Sequence, residues 1–416
     1  MNFVRLCILT ATGGALEFFD FTIFMLFSRY IAAAFFPESD PLAGTMSVVL
    51  LFLTGYIARP IGGMIAGHLG DHYGRKKLFM GTIALMSLAT LGIGVLPTYE
   101  HWGSAALWLL TLFRLIQGLA VGGELPGSTT FAAEHVTPDK RGLVTGTIVA
   151  AVTFGNVLGA SLGWCLNTVL SSEEMYLWGW RIPFVLGGLL GVLGVLARRQ
   201  LVETPVFLNC RRAVKVPVWL LLKSSWKESF AGVVYASVTA TIVSVFLYLP
   251  TYFGLSNIGS SVSSYQFTTI GFLFYSVLTL PFAWLSDRIG RRRQLMLGSM
   301  LLLPVSVISV WLVDSGDTTA ILTLLILIAI SGAVVNGAYE GAIVELFPTE
   351  IRYSGVAFSH NLGFVIYGGL TPFVLTALAQ SGVNVAPVVI LIPVSLTLLL
   401  VSWCMPCRSL LPLEQL

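Results

Sequence analysis

Charged residues are scarce in this sequence, and their scarcity limits the class of protein. Only 10% of the 416 residues are Asp, Glu, Lys or Arg, and 56% are apolar. A soluble domain carries roughly a quarter charged residues, so a soluble fold of this composition would lack the charge to cover its surface. The composition excludes an ordinary soluble protein and indicates an integral membrane protein.

Cysteine and histidine are also few, with five residues of each type. The cysteines are scattered, and the pair Cys404 and Cys407 lacks the second pair or the histidines that a zinc site needs. A membrane-embedded enzyme would need a nucleophile with a base or a metal cluster, and the sequence offers no such pattern. We therefore expect no metal, no cofactor and no enzymatic activity.

Long apolar runs make up most of the chain. Twelve such runs lie between Leu6 and Met405, each bounded by charge, Pro or Gly clusters. Each run is near or above the roughly 20 residues that span a bilayer. The runs predict an all-α integral membrane protein with twelve transmembrane helices and the lipid bilayer as its surroundings.

The placement of Lys and Arg predicts the orientation of these helices. With loops alternating between the two sides, 19 of the 23 basic residues fall on one side, mainly at 75–77, 140–141, 198–227 and 288–293. By the positive-inside rule that side is the cytoplasm, so both termini are expected there. The same rule accounts for the basic segment 198–227, which therefore gives no reason to expect a nucleic-acid partner.

Two landmarks in the sequence occur twice. GHLGDHYGRKK at 67–77 returns as AWLSDRIGRRR at 283–293, a shift of 216 residues. An acid followed seven residues later by arginine occurs at Glu134 and again at Glu345, a shift of 211 residues. Two unrelated landmarks at nearly one shift indicate a duplicated half.

The duplication predicts the domain organisation. We expect an N-terminal six-helix bundle at 1–197, a cytoplasmic linker at 198–228 and a C-terminal six-helix bundle at 229–416. Parallel repeats of this kind are an architectural mark of the major facilitator fold, whose two pseudo-symmetric bundles rock about a site near the midplane.

The repeated landmarks also predict where the conformation is controlled. A Gly-Asp-Gly turn at the membrane face allows helices to approach closely, and Asp71 can pair with basic residues or with a helix N-terminus across the bundle interface. Such a contact can form in one conformation and break in the other. The alternative for Arg75 is that it only fixes topology. The predicted gating residues are Asp71, Arg75, Glu134, Arg141, Asp287, Arg291, Glu345 and Arg352.

Ionisable residues inside the predicted spans are costly and indicate function. Glu17 and Asp20 share a helical face, and Arg114, Gln117 and Glu124 lie within about 80° of one stripe of the fourth helix. A carboxylate beside a desolvated arginine changes its proton affinity when a substrate carboxylate takes over the arginine, as proton coupling requires. The alternative is an ion-pair network that only holds helices together.

Other polar residues in the spans extend this predicted site. Arg59, in the second predicted helix, is equally consistent with contact to the substrate and with a role in a gate. Glu340 lies beside Asn336 in the tenth predicted helix. The predicted substrate-binding and proton-binding residues are Glu17, Asp20, Arg59, Arg114, Gln117, Glu124, Asn336, Glu340 and Asn361.

The whole pattern resembles the metabolite:H+ symporter family of the major facilitator superfamily, which includes proline/betaine, α-ketoglutarate, shikimate and citrate carriers. The motifs that carry the resemblance are GALEFFDF (14–21), RPIGG (59–63), GHLGDHYGRKK (67–77), RLIQGLAVGGE (114–124), WGWRIPF (178–184), ETP (203–205), LSDRIGRR (285–292), ELFPT (345–349), IRYS (351–354) and NLG (361–363).

The resemblance implies roles for particular residues. Glu17, Asp20, Arg114 and Glu124 match positions expected to bind substrate and protons in the family. The chain departs from the family pattern at Pro126, which we expect to kink the fourth helix, and at Glu340 and His360. Because these differences are near the expected cavity, no single relative predicts the substrate.

The expected function is proton-coupled import of a small organic acid or zwitterionic metabolite by alternating access, in the bacterial inner membrane. The partners are then a small-molecule substrate and protons, with the protein acting as a monomer. The alternative is an exporter or exchanger of the same fold, including one for a carboxylate-rich chelate such as a citrate-type siderophore.

Overall fold

The structure is a computed structural model that describes residues 3–36, 41–73, 75–198, 221, 223, 225–256, 261–314, 318–348, 351–380 and 387–405. Over these residues the chain is almost entirely helical, as expected. The main helices are Phe3–Leu26 (α1), Pro41–Tyr73 (α2), Arg75–Val95 (α3), Ser104–Glu134 (α4), Arg141–Val169 (α5), Ile182–Arg198 (α6), Trp226–Ser256 (α7), Ser261–Ile289 (α8), Arg291–Asp314 (α9), Thr318–Val344 (α10), Arg352–Gly363 (α11) and Leu391–Cys404 (α12).

Shorter segments complete the described helical structure. Ser28–Phe35 follows α1 after Phe27, and the π-helical turn Phe364–Gly369 joins α11 to the helix Leu370–Gln380. Short helices at Tyr99–Trp102 and Ser172–Leu177 lie between longer ones. We call α1–α6 the N-terminal half and the elements from α7 onward the C-terminal half.

Nine helical segments of the described chain are long and apolar enough to cross a membrane. Two more, Met80–Val95 and Leu391–Cys404, are apolar but shorter. The α9 helix is formed but is not among the nine. An all-helical membrane protein is therefore confirmed, and the full count of twelve spans stays a prediction.

The turn predicted at Gly70 and Asp71 is wrong, because these residues are helical: α2 continues to Tyr73, and α3 begins at Arg75. The repeated motif in the C-terminal half is built in the same way, with only Gly290 between α8 and α9. Gly290 has a φ of 88°, a left-handed conformation that glycine adopts without steric cost. One glycine is therefore enough to turn the chain between these two helices.

Part of the predicted machinery lies outside the described residues. The structure gives no side-chain placement for Asp71 or Arg75, and most of the predicted linker at 198–228 is outside the described ranges. The gating role of the first landmark therefore stays a prediction.

Glycines bring α2 and α4 into backbone contact. A Cβ atom at Gly118 would lie 2.1 Å from the Gly55 carbonyl oxygen, and one at Gly122 would lie 2.0 Å from that of Arg59. Only residues without a side chain allow backbones to approach this closely in a membrane protein. The contact holds Arg59 on α2 beside the stretch of α4 that begins with Arg114.

The α4 helix continues through Pro126 rather than ending there. Proline has no N–H, so the carbonyl of Gly122, four residues earlier, receives no hydrogen bond from the helix. The Asn361 side-chain amide of α11 donates to that oxygen at 2.7 Å. The proline thus frees an acceptor that the opposite half uses.

Two other prolines show the same arrangement, in which a side chain donates to the carbonyl four residues before the proline. Thr268 donates to Phe246 before Pro250, and Ser244 donates to Gly368 before Pro372.

Candidate substrate and proton site

A chain of hydrogen bonds links Arg114 to Asp20 across three helices. The Arg114 Nη1 group donates to Gln117 Oε1 at 2.8 Å, and Gln117 Nε2 donates to Thr90 Oγ1 at 2.8 Å. Thr90 in turn donates to Asp20 Oδ2 at 2.6 Å. We call these four residues the relay. Its side chains are all buried, so solvent screens them little. A change of charge at one end therefore changes the electrostatic energy at the other end.

Three members of the relay were predicted from the sequence, and Thr90 was not. Arg114 and Gln117 are one turn apart on α4, so their contact follows from helical spacing. Thr90 lies on α3 among many other hydroxyl-bearing residues of the spans, and nothing in the sequence distinguishes it. The pairing of α3 with α1 and α4 reveals its role.

Arg114 keeps part of its hydrogen-bonding capacity unused. Its Nε and Nη2 groups are buried and have no hydrogen-bond partner among the described residues. Its guanidinium carbon lies 4.0 Å from the ring centre of Phe24 and 4.6 Å from that of Phe21. These rings stabilise the cation but accept no conventional hydrogen bond, so donors stay available for an oxygen ligand.

Arg59 is enclosed by aromatic rings in a similar way. Its guanidinium carbon lies 4.1 Å from the ring centre of Phe21 and 4.2 Å from that of Tyr56, with Phe18 and Phe364 further away at 5.4 and 5.7 Å. The Nε and Nη2 groups of Arg59 also have no hydrogen-bond partner in the described part of the chain. Phe21 therefore lies within reach of both cations.

The buried acids take different positions around these arginines. Glu17 interacts electrostatically with Arg59, and Asp20 interacts with Arg114. Glu124 accepts a hydrogen bond from Thr82 Oγ1 at 3.3 Å. Glu17, Asp20 and Glu124 all line one cavity, whereas neither arginine lines it. The predicted site is therefore divided into a cationic part and an acidic part.

Glu340 forms a second polar cluster, near the contact between the halves. Its Oε2 atom lies 3.1 Å from His360 Nδ1 on α11, and its Oε1 atom accepts a hydrogen bond from Thr129 of α4 at 3.0 Å. The His360 ring stacks on Phe364, with ring centres 4.5 Å apart. Glu340 and His360, which both depart from the family pattern, therefore contact each other, and Glu340 joins the two halves through Thr129.

The two predicted asparagines also join helices. Asn336 on α10 donates to Thr279 on α8 at 2.8 Å and accepts from Thr239 on α7 at 3.2 Å. The Asn361 amide contacts the opposite half through Gly122, as described above. Both residues are buried and engaged by protein groups in this conformation, so their predicted contact with substrate stays a prediction.

The C-terminal copy of the first landmark, at 283–293, forms a charged contact between the halves. The two Asp287 carboxylate oxygens accept hydrogen bonds from the backbone N–H groups of Gly142 and Leu143, both at 2.8 Å, at the N-terminus of α5. A carboxylate is favourable there because it satisfies free N–H groups and faces the positive end of the helix dipole. Arg291 Nη2 lies 2.8 Å from an oxygen of the same Asp287 carboxylate and 3.3 Å from Glu345 Oε1.

Four predicted gating residues form ion pairs across the same interface. Arg352 of α11 lies 3.1 Å from Glu134 of α4, and Arg141 of α5 lies 3.7 Å from Glu345. Each pair joins one half to the other. At the opposite end of the bundle, the Tyr265 hydroxyl of α8 donates to the Leu26 carbonyl of α1 at 2.6 Å. The halves thus contact each other at both ends, and Arg59 and Arg114 are fully buried.

The bundle of apolar helices, with a buried relay and inter-half contacts at both ends, defines a membrane transporter. Comparison with known proteins gives the family. Residues 6–216 match the model described as sugar (and other) transporter, and residues 230–411 match that of the major facilitator superfamily. The chain belongs to the major facilitator superfamily, and its resemblance to the metabolite:H+ symporters is confirmed.

Individual relatives support this assignment. The chain is 34% identical to the citrate-proton symporter of Salmonella typhi over 374 residues, which covers 89% of this chain and 86% of the relative. It is 33% identical to a putative proline/betaine transporter of Staphylococcus haemolyticus over 400 residues, which covers 93% and 84%.

Solved structures share the fold. The proton:xylose symporter XylE bound to 6-bromo-6-deoxy-D-glucose superposes with a TM-score of 0.81 at 15% identity, covering 99% of this chain and 98% of the other. XylE from E. coli in a partially occluded inward open conformation gives a TM-score of 0.74 at 16% identity, covering 97% and 98%.

Proposed function

We propose that this protein imports a small organic acid together with protons across the bacterial inner membrane. It acts as a monomer, and both of its termini lie in the cytoplasm. The observation that carries the proposal is the relay, because it connects a free pair of arginine donors to a buried carboxylate. Relatives named as proton symporters support the coupling ion.

Arg114 is the proposed anchor of a substrate carboxylate. Its free Nε and Nη2 groups form an edge that matches the two oxygens of a carboxylate. Such a ligand would replace the weaker contacts with Phe21 and Phe24 and satisfy donors that are otherwise buried without partners.

The relay supplies the coupling. A substrate carboxylate at Arg114 adds negative charge near Asp20, and this favours the neutral, protonated carboxyl over the carboxylate. Gln117 and Thr90 transmit the change, because the amide and the hydroxyl can reorient when either end changes charge. Substrate and proton are then bound together, and the halves reorient as a loaded carrier.

The two arginines favour an organic acid over a zwitterion. Arg59 and Arg114 both keep free donors, and the rings of Phe21, Tyr56 and Phe364 that could enclose a substrate cation already surround Arg59. An anion with two carboxylates can satisfy the free donors of both arginines, whereas a zwitterion with one carboxylate leaves the free donors of one arginine without an acceptor.

Flux measurements in proteoliposomes test this proposal. Under an inward proton gradient, we expect the purified protein to accumulate radiolabelled citrate, succinate or α-ketoglutarate. This uptake should stop when a protonophore collapses the proton gradient. Preferential uptake of proline or glycine betaine would refute the organic-acid assignment. Outward transport driven by the same gradient would instead establish the exporter or exchanger.

A further inference from the structure

The acidic cavity lies inside the N-terminal half rather than between the halves. All of its lining residues come from α1, α3, α4 and α6. The two arginines that we assign to the substrate lie outside this lining. Arg59 faces rings of α1 and α2 and Phe364 of the C-terminal half, and Arg114 faces rings of α1 and α2. The fold therefore provides a space that a substrate need not enter.

The lining of this cavity is suited to protons. Among the residues that the structure describes, no Lys, Arg or His lines this cavity, while hydroxyl groups lie beside the carboxylates. Two buried cations interact with its acids, Arg59 with Glu17 and Arg114 with Asp20. The ionisable or polar side chains that face the cavity are Glu17 and Asp20 from α1, Thr82 and Ser87 from α3, and Glu124 from α4, whereas α6 contributes glycines.

Asp20 connects the cavity to the relay. Its Oδ2 atom is bonded by Thr90, and its buried Oδ1 atom has no hydrogen-bond partner among the described residues. A Cβ atom at Gly187, which also lines the cavity, would lie 2.5 Å from Oδ1. The missing side chain of Gly187 therefore leaves room at the free oxygen, so Asp20 has one oxygen in the relay and one at the cavity.

The cavity extends from Asp20 toward the predicted cytoplasmic side. On α1 the lining residues Glu17 and Gly13 precede Asp20 by three and seven positions, so Gly13 lies about 10 Å nearer the N-terminal end at 1.5 Å per residue. On α4, Glu124 lies toward the helix end that continues to Glu134, which is also on the predicted cytoplasmic side.

We propose that this cavity is a proton exit route within the N-terminal half, separate from the substrate route between the halves. The proton leaves the Asp20 carboxyl group, is accepted by the carboxylate of Glu17 or Glu124, and passes to water on the cytoplasmic side. Only these O–H bonds break and form. The inference rests on the proposed proton-coupled import and adds a separate path for the coupling ion.

Two variants test the route by different means. Ala120 lines the cavity, so Ala120→Leu fills part of the space without removing an acid. Glu124→Gln keeps the shape but removes a proton acceptor. Ala105→Leu is the matched control, because Ala105 lies on the same helix and is exposed.

The assay compares two modes of transport in proteoliposomes loaded with the organic acid that the wild type accumulates. Counterflow at equal pH needs no net proton release, since a protonated carrier can exchange one substrate for another. Gradient-driven accumulation requires release in every cycle. We expect Ala120→Leu to keep wild-type counterflow and Glu124→Gln to lose much less counterflow than accumulation. Both variants should lose about 10- to 100-fold in the rate of accumulation, the scale of a removed proton-transfer group.

The outcomes separate the route from the proposed function. Wild-type accumulation by both variants would overturn the route, and so would a loss of counterflow in Glu124→Gln as large as its loss of accumulation, which would show that Glu124 serves substrate binding. If Ala120→Leu fails to fold, Glu124→Gln alone decides. Absence of gradient-driven uptake in the wild type would refute the proposed function itself.

Discussion

Replacement of Thr90 by valine tests the relay with little change of shape. The Thr90 hydroxyl accepts a hydrogen bond from Gln117 at 2.8 Å and donates one to Asp20 at 2.6 Å, and Thr90 is fully buried. Thr90→Val removes both bonds while keeping a β-branched side chain of similar volume. Thr90→Ser is the matched control, because it keeps the hydroxyl.

The expected effect follows from the bond to a charged group. A hydrogen bond to an ionised group contributes about 1.5 to 3 kcal/mol, which corresponds to roughly 10- to 150-fold in an equilibrium constant. Since Thr90 stabilises the carboxylate form of Asp20, its loss should make release of the proton less favourable and slow gradient-driven uptake by up to that factor.

The assay is the initial rate of uptake as a function of pH on the two sides of the proteoliposome membrane. Thr90→Val should need a more alkaline interior to reach its maximal rate, whereas Thr90→Ser should follow the wild type. If Thr90→Val and Thr90→Ser share the wild-type profile, the relay does not couple Arg114 to Asp20.

Three further substitutions test other contacts. Arg114→Lys should weaken substrate binding in calorimetry by roughly 30- to 1000-fold, or about 2 to 4 kcal/mol, since lysine cannot offer the bidentate edge; near-normal affinity would contradict the anchor. Asp287→Asn should change the transport rate with little change in affinity, because the residue caps α5 outside the site; an unchanged rate would remove its gating role. Glu340→Gln should weaken the contact with His360 and Thr129 and lower the melting temperature; wild-type stability with normal transport would contradict a role for this cluster.

Features that depend on spacing along one helix were predictable from the sequence. The apolar runs predicted the helices, and helical periodicity placed Arg114 beside Gln117. The repeat identified Asp287, whose contact with the N-terminus of α5 is the type of contact expected for its counterpart Asp71. These inferences need only the period of the helix and the pattern of charge.

Features that depend on how helices pair could not be predicted. Thr90 is an ordinary residue until α3 packs against α1 and α4, and Glu340 and His360 were noted separately rather than as a pair. The sequence also does not show that Gly290 alone turns the chain between α8 and α9. Glu17 and Asp20 share a helical face, yet they interact with different arginines because α2 and α4 lie side by side.

Gradient-driven accumulation by Asp20→Asn tests the central claim most directly, because asparagine retains the size of the side chain but cannot carry a proton. Wild type and variant are compared in proteoliposomes with an inward proton gradient, and counterflow at equal pH reports whether the variant still binds and moves substrate. The account predicts that the wild type concentrates the organic acid and that Asp20→Asn does not rise above equilibrium. If Asp20→Asn still concentrates it, Asp20 is not the coupling site, and Glu124 becomes the next candidate.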